Sequence, residues 1–561
     1  MLHGRSRKTA LAGIAACVAL ASTASAALAP PSPSLLAQGP SDRMPLTRWT
    51  LREDPADRGL RLGWPKGGFG GAGVSVPNVV SAAYRGPAGE RNYEGSVAWY
   101  RTTFQAATAG VYALAFQSAN FQADVFLDGR ALGSHRGPYL PFELRPKLAA
   151  GAHTLVVRVD WRNLSAQSRL GFHRTWFNWG GLDGEVDVRA IGASELSNPT
   201  VQTTLRPGSR SAGEANTATV AVGVEVRNDG ASQRPIVPAG TLSRGAQTIP
   251  LHFPEVHLDH GRTATVSTTV TVPEPALWSP ASPSLYELTL AVGGESGYSA
   301  RVGLRQITWH GGRLYLNGRR LLLHGATIQQ DAPGHGDALT PGDEDALVRE
   351  LKAIGANAAR AQHPLDPALL ERLDAAGILV WQGIGPVEGA GNWYPSTPSL
   401  LAGAERQARC AAIAAQLHPS IFAWNLVDEV AENGRDSAEV SYVQTLTRWL
   451  HAHDPTRLVA VDVWGDHPPQ HPGALYREAD AVAETDYSGW YDNPHNSPGA
   501  VSAEIKRRLA AMRRTFAGKV LVISEFGAES NGLNPSPNPG SYAYQSALLA
   551  RHIRIYTADP P

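Results

Sequence analysis

The chain has 561 residues, 43% hydrophobic and 18% charged, with 50 basic and 50 acidic side chains that leave a formal net charge of zero. A chain this long exceeds a single hydrophobic core, so about two to four domains are expected, with ample apolar material to fill them. The balanced charge gives no electrostatic case for nucleic acid or an anionic membrane surface as a partner.

Arg5, Arg7 and Lys8 precede an apolar stretch over residues 10–21, and Ala24-Ser25-Ala26 follows as a small-x-small cleavage site. This pattern predicts a secretory signal peptide over residues 1–26. The apolar run is too short to span a bilayer. The protein is therefore expected to be exported, to the periplasm or the surroundings of a bacterium. Ile14-Ala15-Ala16-Cys17 also has the form of a lipoprotein box. Residues 18–21 stay apolar where a lipoprotein turns polar, so anchoring through Cys17 is the weaker reading. Cleavage after Ala26 leaves Cys410 as the sole cysteine, and no intrachain disulfide can form. Cys410 sits in an Ala-rich helical stretch and is expected to pack as a small hydrophobe.

Residues 27–44 are rich in Pro, Ser and Ala and read as a linker. Residues 45–195 have strand grammar. The segments 111–116 and 155–159 are strand-like, and Asp128-Gly129 after Val125-Phe126-Leu127 is a hairpin turn signal. The aromatic run Trp176-Phe177-Asn178-Trp179 closes this block. Residues 196–305 form a second β block, with segments 220–226, 263–272 and 285–292 at the spacing of a small sandwich.

After Arg305 strands and helices alternate. The expected strands are 320–324, 357–360, 378–381, 421–426, 458–463, 481–485 and 520–523. Thr340-Pro341-Gly342-Asp343 opens a helix with a capping threonine, a proline at its first position and an acid in its first turn. Asp366-Pro367 opens the next, Gly377 closes it, and a last helix is expected over residues 542–555. Such alternation predicts a parallel (β/α) barrel over residues 306–561. Only seven strands are visible. An open barrel leaves two edges unpaired, so the sequence is expected to be a fragment, with completion by another chain or an unseen strand as the alternatives.

Two of these strands end in glutamates. Ile421-Phe422-Ala423-Trp424-Asn425-Leu426-Val427 leads into Asp428-Glu429, and Val520-Leu521-Val522-Ile523-Ser524 leads into Glu525. Apolar runs of this kind are strands buried on both faces. A carboxylate at the C-terminal end of such a strand lies at the barrel mouth, where barrel enzymes keep their chemistry. Two carboxylates facing each other there are what glycoside hydrolysis requires.

Local motifs along nearly the whole mature chain then resemble glycoside hydrolase family 2, which includes β-galactosidases, β-glucuronidases and β-mannosidases. Trp99-Tyr100-Arg101 and Asn178-Trp179-Gly180-Gly181 resemble the first domain of that family, and Leu316-Asn317-Gly318 through Gly325 the entry to its barrel. Asn357-Ala358-Ala359-Arg360-Ala361-Gln362-His363-Pro364 resembles its Asn-x-x-Arg-x-x-His-x-Pro segment, with the proline one place early. His418-Pro419-Ser420-Ile421 followed by Trp424 and Glu429, Tyr487-Ser488-Gly489-Trp490-Tyr491, and Ser524-Glu525-Phe526-Gly527 follow in the family's order.

The resemblance implies a jelly-roll sugar-binding domain, an immunoglobulin-like sandwich and a catalytic TIM barrel. It implies Glu429 as general acid/base and Glu525 as nucleophile of a retaining β-glycosidase, with carboxyls about 5–5.5 Å apart. It implies Arg360 beside the nucleophile, where a buried cation favours the ionised form of a carboxylate. It also implies Tyr487 as a donor to the nucleophile and His363 as a sugar contact. Trp490 and Trp381 are candidates for apolar sugar platforms. The family usually has Asn before the acid/base glutamate. This chain has Asp428, which is expected to raise the pKa of Glu429 or to be protonated itself. In Gly325-Ala326-Thr327-Ile328-Gln329-Gln330-Asp331 only Asp331 persists of the family's Gly-x-Asn-x-His-x-Asp. No metal-ligand spacing, phosphate loop or dinucleotide fingerprint is present, so no cofactor is expected. A carbohydrate is the expected partner, and self-association into a homo-oligomer stays open. The competing reading is a carbohydrate-binding protein of the same lineage without turnover.

Overall fold

The computed structural model describes residues 37–39, 43–169, 177–206, 217–386, 397–430, 434–463 and 471–560. The expected signal peptide, Cys17 and Trp176 lie outside the described residues.

The first β block folds as two antiparallel sheets. One runs Ala72–Ser75, Arg48–Glu53, Val97–Ala106, Gly151–Asp160, Gln122–Leu127 and Arg130–Arg136 from edge to edge. The other runs Phe142–Leu144, Gly110–Phe116, Val186–Ala190 and Met44–Pro45. Leu114, Phe116, Val125, Leu155, Val157 and Val159 fill the space between them. At the predicted hairpin, Asp128 has φ 50° and Gly129 φ 80°. Two left-handed residues in succession match the right-handed twist of the strands they join.

Two pieces of the expected linker are strands. Ala37–Gln38 pairs with Ser296–Val302, and Met44–Pro45 pairs with Val186–Ala190. A sheet edge offers unpaired backbone groups to any extended chain, so composition alone could not show this.

The second β block is a sandwich of Ser194–Arg206, Thr217–Asn228 and Thr263–Pro273 against a sheet containing Ser296–Val302, Tyr286–Val292, Ala239–Arg244 and Gln247–His252. Strict alternation of buried and exposed residues along Tyr286–Val292 is the mark of one face in a core and one in water. Trp278 then donates from its indole to Asp374 O at 2.8 Å. The buried Arg305 donates to Pro419 O and Ile421 O, both at 2.6 Å. These bonds fix the second sandwich to the N-terminal end of the barrel.

The barrel is a seven-stranded parallel sheet in sequence order: Gly325–Thr327, Ala358–Ala361, Leu379–Gly383, Ile421–Asn425, Leu458–Val463, Ala481–Asp486 and Val520–Phe526. Outward residues such as Val380, Val459, Val461 and Val482 meet the helices. Inward residues are mostly small, Ala358, Ala423, Ala460, Ala481 and Ala483, and they leave room for Trp381 and Phe422 inside. Thr340 caps Pro341–Ala353 with a complete capping box to Asp343, and Asp366 caps Pro367–Ala376.

The first strand differs from expectation. Leu321 and Leu323 are not in it; they pack under the barrel against the Ile307, Leu314 and Leu316 cluster. The strand starts at Gly325, where a Cβ would lie 1.9 Å from Ala358 O. Only glycine permits that approach. Among the described residues no strand lies between the first and seventh. Thr327 Oγ1 donates to Ser524 O across this seam at 3.4 Å.

Candidate active site

The strand ends place one buried guanidinium among three carboxyl groups. Arg360, inward-facing on the second strand, is 5% exposed. Its Nη2 donates to Asp428 Oδ1 and, at 3.1 Å, to Asp462 Oδ2, while its Nη1 pairs with Glu525. Gln362, two residues on and therefore facing the same way, donates to Asp428 Oδ2 at 3.0 Å and to Glu525 Oε1 at 3.3 Å. Tyr487 donates to Glu525 Oε2 at 2.5 Å. Burial, the Glu525 charge and that hydrogen bond together push the Tyr487 phenol well above its ordinary range, so it remains a donor.

Glu429 reaches the same cluster through a local distortion. Beyond Asn425 the chain continues against the fifth strand, with Asp462 N donating to Val427 O at 3.1 Å and Val430 N to Asp462 O at 2.8 Å. Between those two bonds Glu429 adopts φ 55°. A left-handed non-glycine residue costs about 1–2 kcal/mol and persists only where flanking bonds enforce it. Glu429 is pushed up to about 8, first by burial and then by the charge of Glu525, against the opposing pull of Arg360 and a hydrogen bond with Thr485. Asp428 is raised well above the usual carboxylate range by burial, with Glu525, Asp462 and Glu429 adding to it against Arg360. Arg360 is raised, because the three carboxylates outweigh the effect of its own burial.

Glu429, Glu525, Asp428, Arg360 and Tyr487 thus share one cluster. The other candidates lie elsewhere. Trp381 is the register neighbour of Arg360 but is 2% exposed and fills the barrel interior, packed on Phe422. At that burial its ring has no face to offer a sugar. Trp490 packs into a side cluster with Val501, Ile505, Leu509 and Leu548. Next to it Tyr491 is 54% exposed and leans on Tyr487, with ring centroids 4.8 Å apart.

His363 and Asp331 are engaged by the first sandwich. His363 stacks on Tyr139 at 4.1 Å and 5°. Asp331 accepts a hydrogen bond from Tyr84, whose phenol is pushed up to about 12 by burial and by the charge of Asp331. Sequence reasoning did not single out Asp462, Gln362, Thr485, Tyr84 or Tyr139. For Asp462 a signal existed: an acid inside the apolar fifth strand, at the inward parity of Ala460.

Comparison with known proteins comes to the same family. Residues 307–556 match the model for the glycosyl hydrolases family 2 TIM barrel domain, and residues 203–305 match that for glycosyl hydrolases family 2. A β-glucuronidase of Paenibacillus borealis is 26% identical over 560 residues, covering 91% of this chain and 87% of the relative. A relative in Formosa agariphila is 26% identical over 428 residues, and the chain spans about half of its length, 48%. The structure of a family 2 β-galacturonidase from Eisenbergiella tayi bound to galacturonate superimposes with TM-score 0.77 at 22% identity, over 92% of this chain and 88% of that one. The fold, two sandwiches and a parallel barrel one strand short, is the one expected from the sequence. With both family models matched in order, the chain belongs to glycoside hydrolase family 2.

Proposed function

We propose that the protein is an exported, retaining β-glycosidase that releases a terminal sugar from the non-reducing end of a glycoside. The observation that carries this is the pairing of two unlike carboxyl groups. Glu429 is held protonated to about pH 8 and has no cationic partner of its own among the described residues, while Glu525 is paired with Arg360 and accepts from Tyr487. An acid and a nucleophile held in different environments are the two parts that double displacement needs.

In the first step Glu429 gives its proton to the glycosidic oxygen as the bond to the anomeric carbon breaks. A Glu525 oxygen attacks that carbon from the opposite face, and the aglycone leaves as an alcohol. The glycosyl ester has no charge on Glu525, so one of the causes that raise Glu429 disappears. Glu429 is then ionised and can take a proton from water, whose oxygen displaces Glu525 and regenerates both carboxyls. The Tyr487 hydroxyl and the Arg360 guanidinium stay on Glu525 and receive its charge when the ester breaks.

The relative in Paenibacillus borealis supports a β-glucuronide as substrate, and the family resemblance also admits a β-galactoside. Residues 1–26 support export. No helix among the described residues is long and apolar enough to cross a membrane. The second reading, a carbohydrate-binding protein without turnover, is supported by Asp428, which stands beside Glu429 where the family usually has asparagine.

Nitrophenyl β-glucuronide, β-galactoside, β-mannoside and β-glucoside, offered to wild type, Glu429→Gln and Glu525→Gln, separate the two. Turnover of one sugar that is lost in both variants supports the glycosidase. Silence from a folded wild type, with sugar binding detected by calorimetry, supports the binding protein.

A further inference from the structure

Arg360 carries one positive charge and touches three carboxyl groups: Asp428, Asp462 and Glu525. Asp428 and Asp462 are 2% and 0% exposed, so neither charge can be screened by water. Their side chains are within hydrogen-bond reach of each other, and the same Arg360 Nη2 holds an oxygen of each. The protein supplies donors to both Asp428 oxygens, from Arg360 and Gln362. Among the described residues Asp462 has one donor, Arg360, and Asp462 Oδ1 is buried with none. A buried carboxylate oxygen without a donor is costly, and two buried carboxylates in contact repel strongly at low dielectric. One proton between them removes both penalties, as it does wherever two carboxyls share a site.

We propose that Asp428 and Asp462 hold a single proton between them as an acid–carboxylate pair, and that this pair, presenting one negative charge instead of two, leaves Arg360 free to serve Glu525. The charges facing the pair are Arg360 from the second strand, Glu429 beyond the fourth and Glu525 from the seventh. Asp462 is on this account a positioning residue that acts through Arg360. The pair also makes Asp428 electrically closer to the asparagine expected at its position. Both aspartates are raised above the usual range, chiefly by burial, as a shared proton requires. The inference deepens the glycosidase reading but does not depend on it for its first test.

Infrared spectra of protein labelled with carboxyl-13C aspartate, taken at pH 8, count protonated aspartates directly. Asp187 and Asp366, each pushed up to about 6 by burial, are ionised there. One isotope-shifted carboxylic acid band is expected in wild type. It should vanish in Asp428→Asn and equally in Asp462→Asn, because the aspartate left alone with Arg360 ionises. No such band in wild type overturns the pair, and so does a band that survives in both variants.

The kinetic arm reads the alkaline limb of kcat/KM. Each single Asn variant keeps one negative charge, so the limb should stay within about half a pH unit, while the double variant should lower it by about one unit or more. A stepwise fall, half in each single variant, means that both aspartates were ionised and overturns the proposal. A wild type that shows the band but turns over no glycoside leaves the pair standing and removes the glycosidase reading instead.

Discussion

Tyr139 of the first sandwich stacks flat on His363 of the barrel, ring centroids 4.1 Å apart and planes 5° from parallel. Tyr139 takes φ 66° to do so. The first sandwich therefore helps to hold the segment that carries Arg360, Gln362 and His363. Tyr139→Ala is expected to raise KM about 2- to 12-fold with a smaller effect on kcat, since an aromatic pair contributes about 0.5–1.5 kcal/mol. Tyr139→Trp, which keeps an aromatic face for His363, should lose less than Tyr139→Ala. Steady-state kinetics on the substrate found in the panel check both.

Removing the Tyr487 hydroxyl leaves Glu525 Oε2 without the donor it has at 2.5 Å. Hydrogen bonds to a charged group are worth about 1.5–3 kcal/mol, so Tyr487→Phe should lower kcat about 10- to 100-fold. The ring still packs on Tyr491, so the melting temperature should move little. A fall in kcat matched by a large loss of stability would point to packing rather than catalysis.

Glu429 must be protonated to act as an acid, and it is pushed up to about 8. The alkaline limb of kcat/KM should therefore lie near that value, with the rate falling about tenfold per pH unit above it. Glu525 is the second cause of the shift, so in Glu525→Gln the Glu429 titration should move down. Carboxyl infrared titration of the two proteins reads this without requiring turnover.

A second raised carboxyl offers a stability test far from the site. Glu439, 3% exposed in the first turn of Ser437–His453, is pushed up to about 7 by burial and by Asp436. A raised folded-state value means that the native protein binds the proton more tightly than the unfolded chain. Its contribution is complete below about pH 4 and is lost as pH rises through about 7. Glu439→Gln should then gain on wild type as pH rises from 5 to about 8.5, read as the difference between their melting temperatures at each pH. A difference independent of pH would show that Glu439 is not raised.

The strands of the barrel were readable because apolar runs buried on both faces look the same wherever they occur. The capped starts of Pro341–Ala353 and Pro367–Ala376 were readable for local reasons as well. The first strand was misplaced because Leu321 and Leu323 have strand-like alternation, yet bury under the barrel. The strand itself is short and begins with a glycine chosen for close approach. At the site, Arg360 and the two glutamates stood out by their motifs. Asp462 did not, because its meaning depends on which face of its strand points inward. Trp381 misled for the same reason: its parity with Leu379 puts it inside the barrel, not at the mouth. Tyr139 and Tyr84 reach the barrel from more than 200 residues away in sequence, and no local pattern can show such a contact.

The alanine lining of the barrel has a consequence for how this sequence can change. Trp381 and Ala423 are register neighbours on adjacent strands, and the volume of one is available only because the other is small. Ala423→Val alone overpacks the interior and Trp381→Leu alone leaves a void, each at a cost of about 1–3 kcal/mol or more. Together they exchange volume and should recover part of both losses. Substitutions beneath the carboxylate cluster are therefore epistatic, and drift at one of these positions is tolerated chiefly when its neighbour drifts with it.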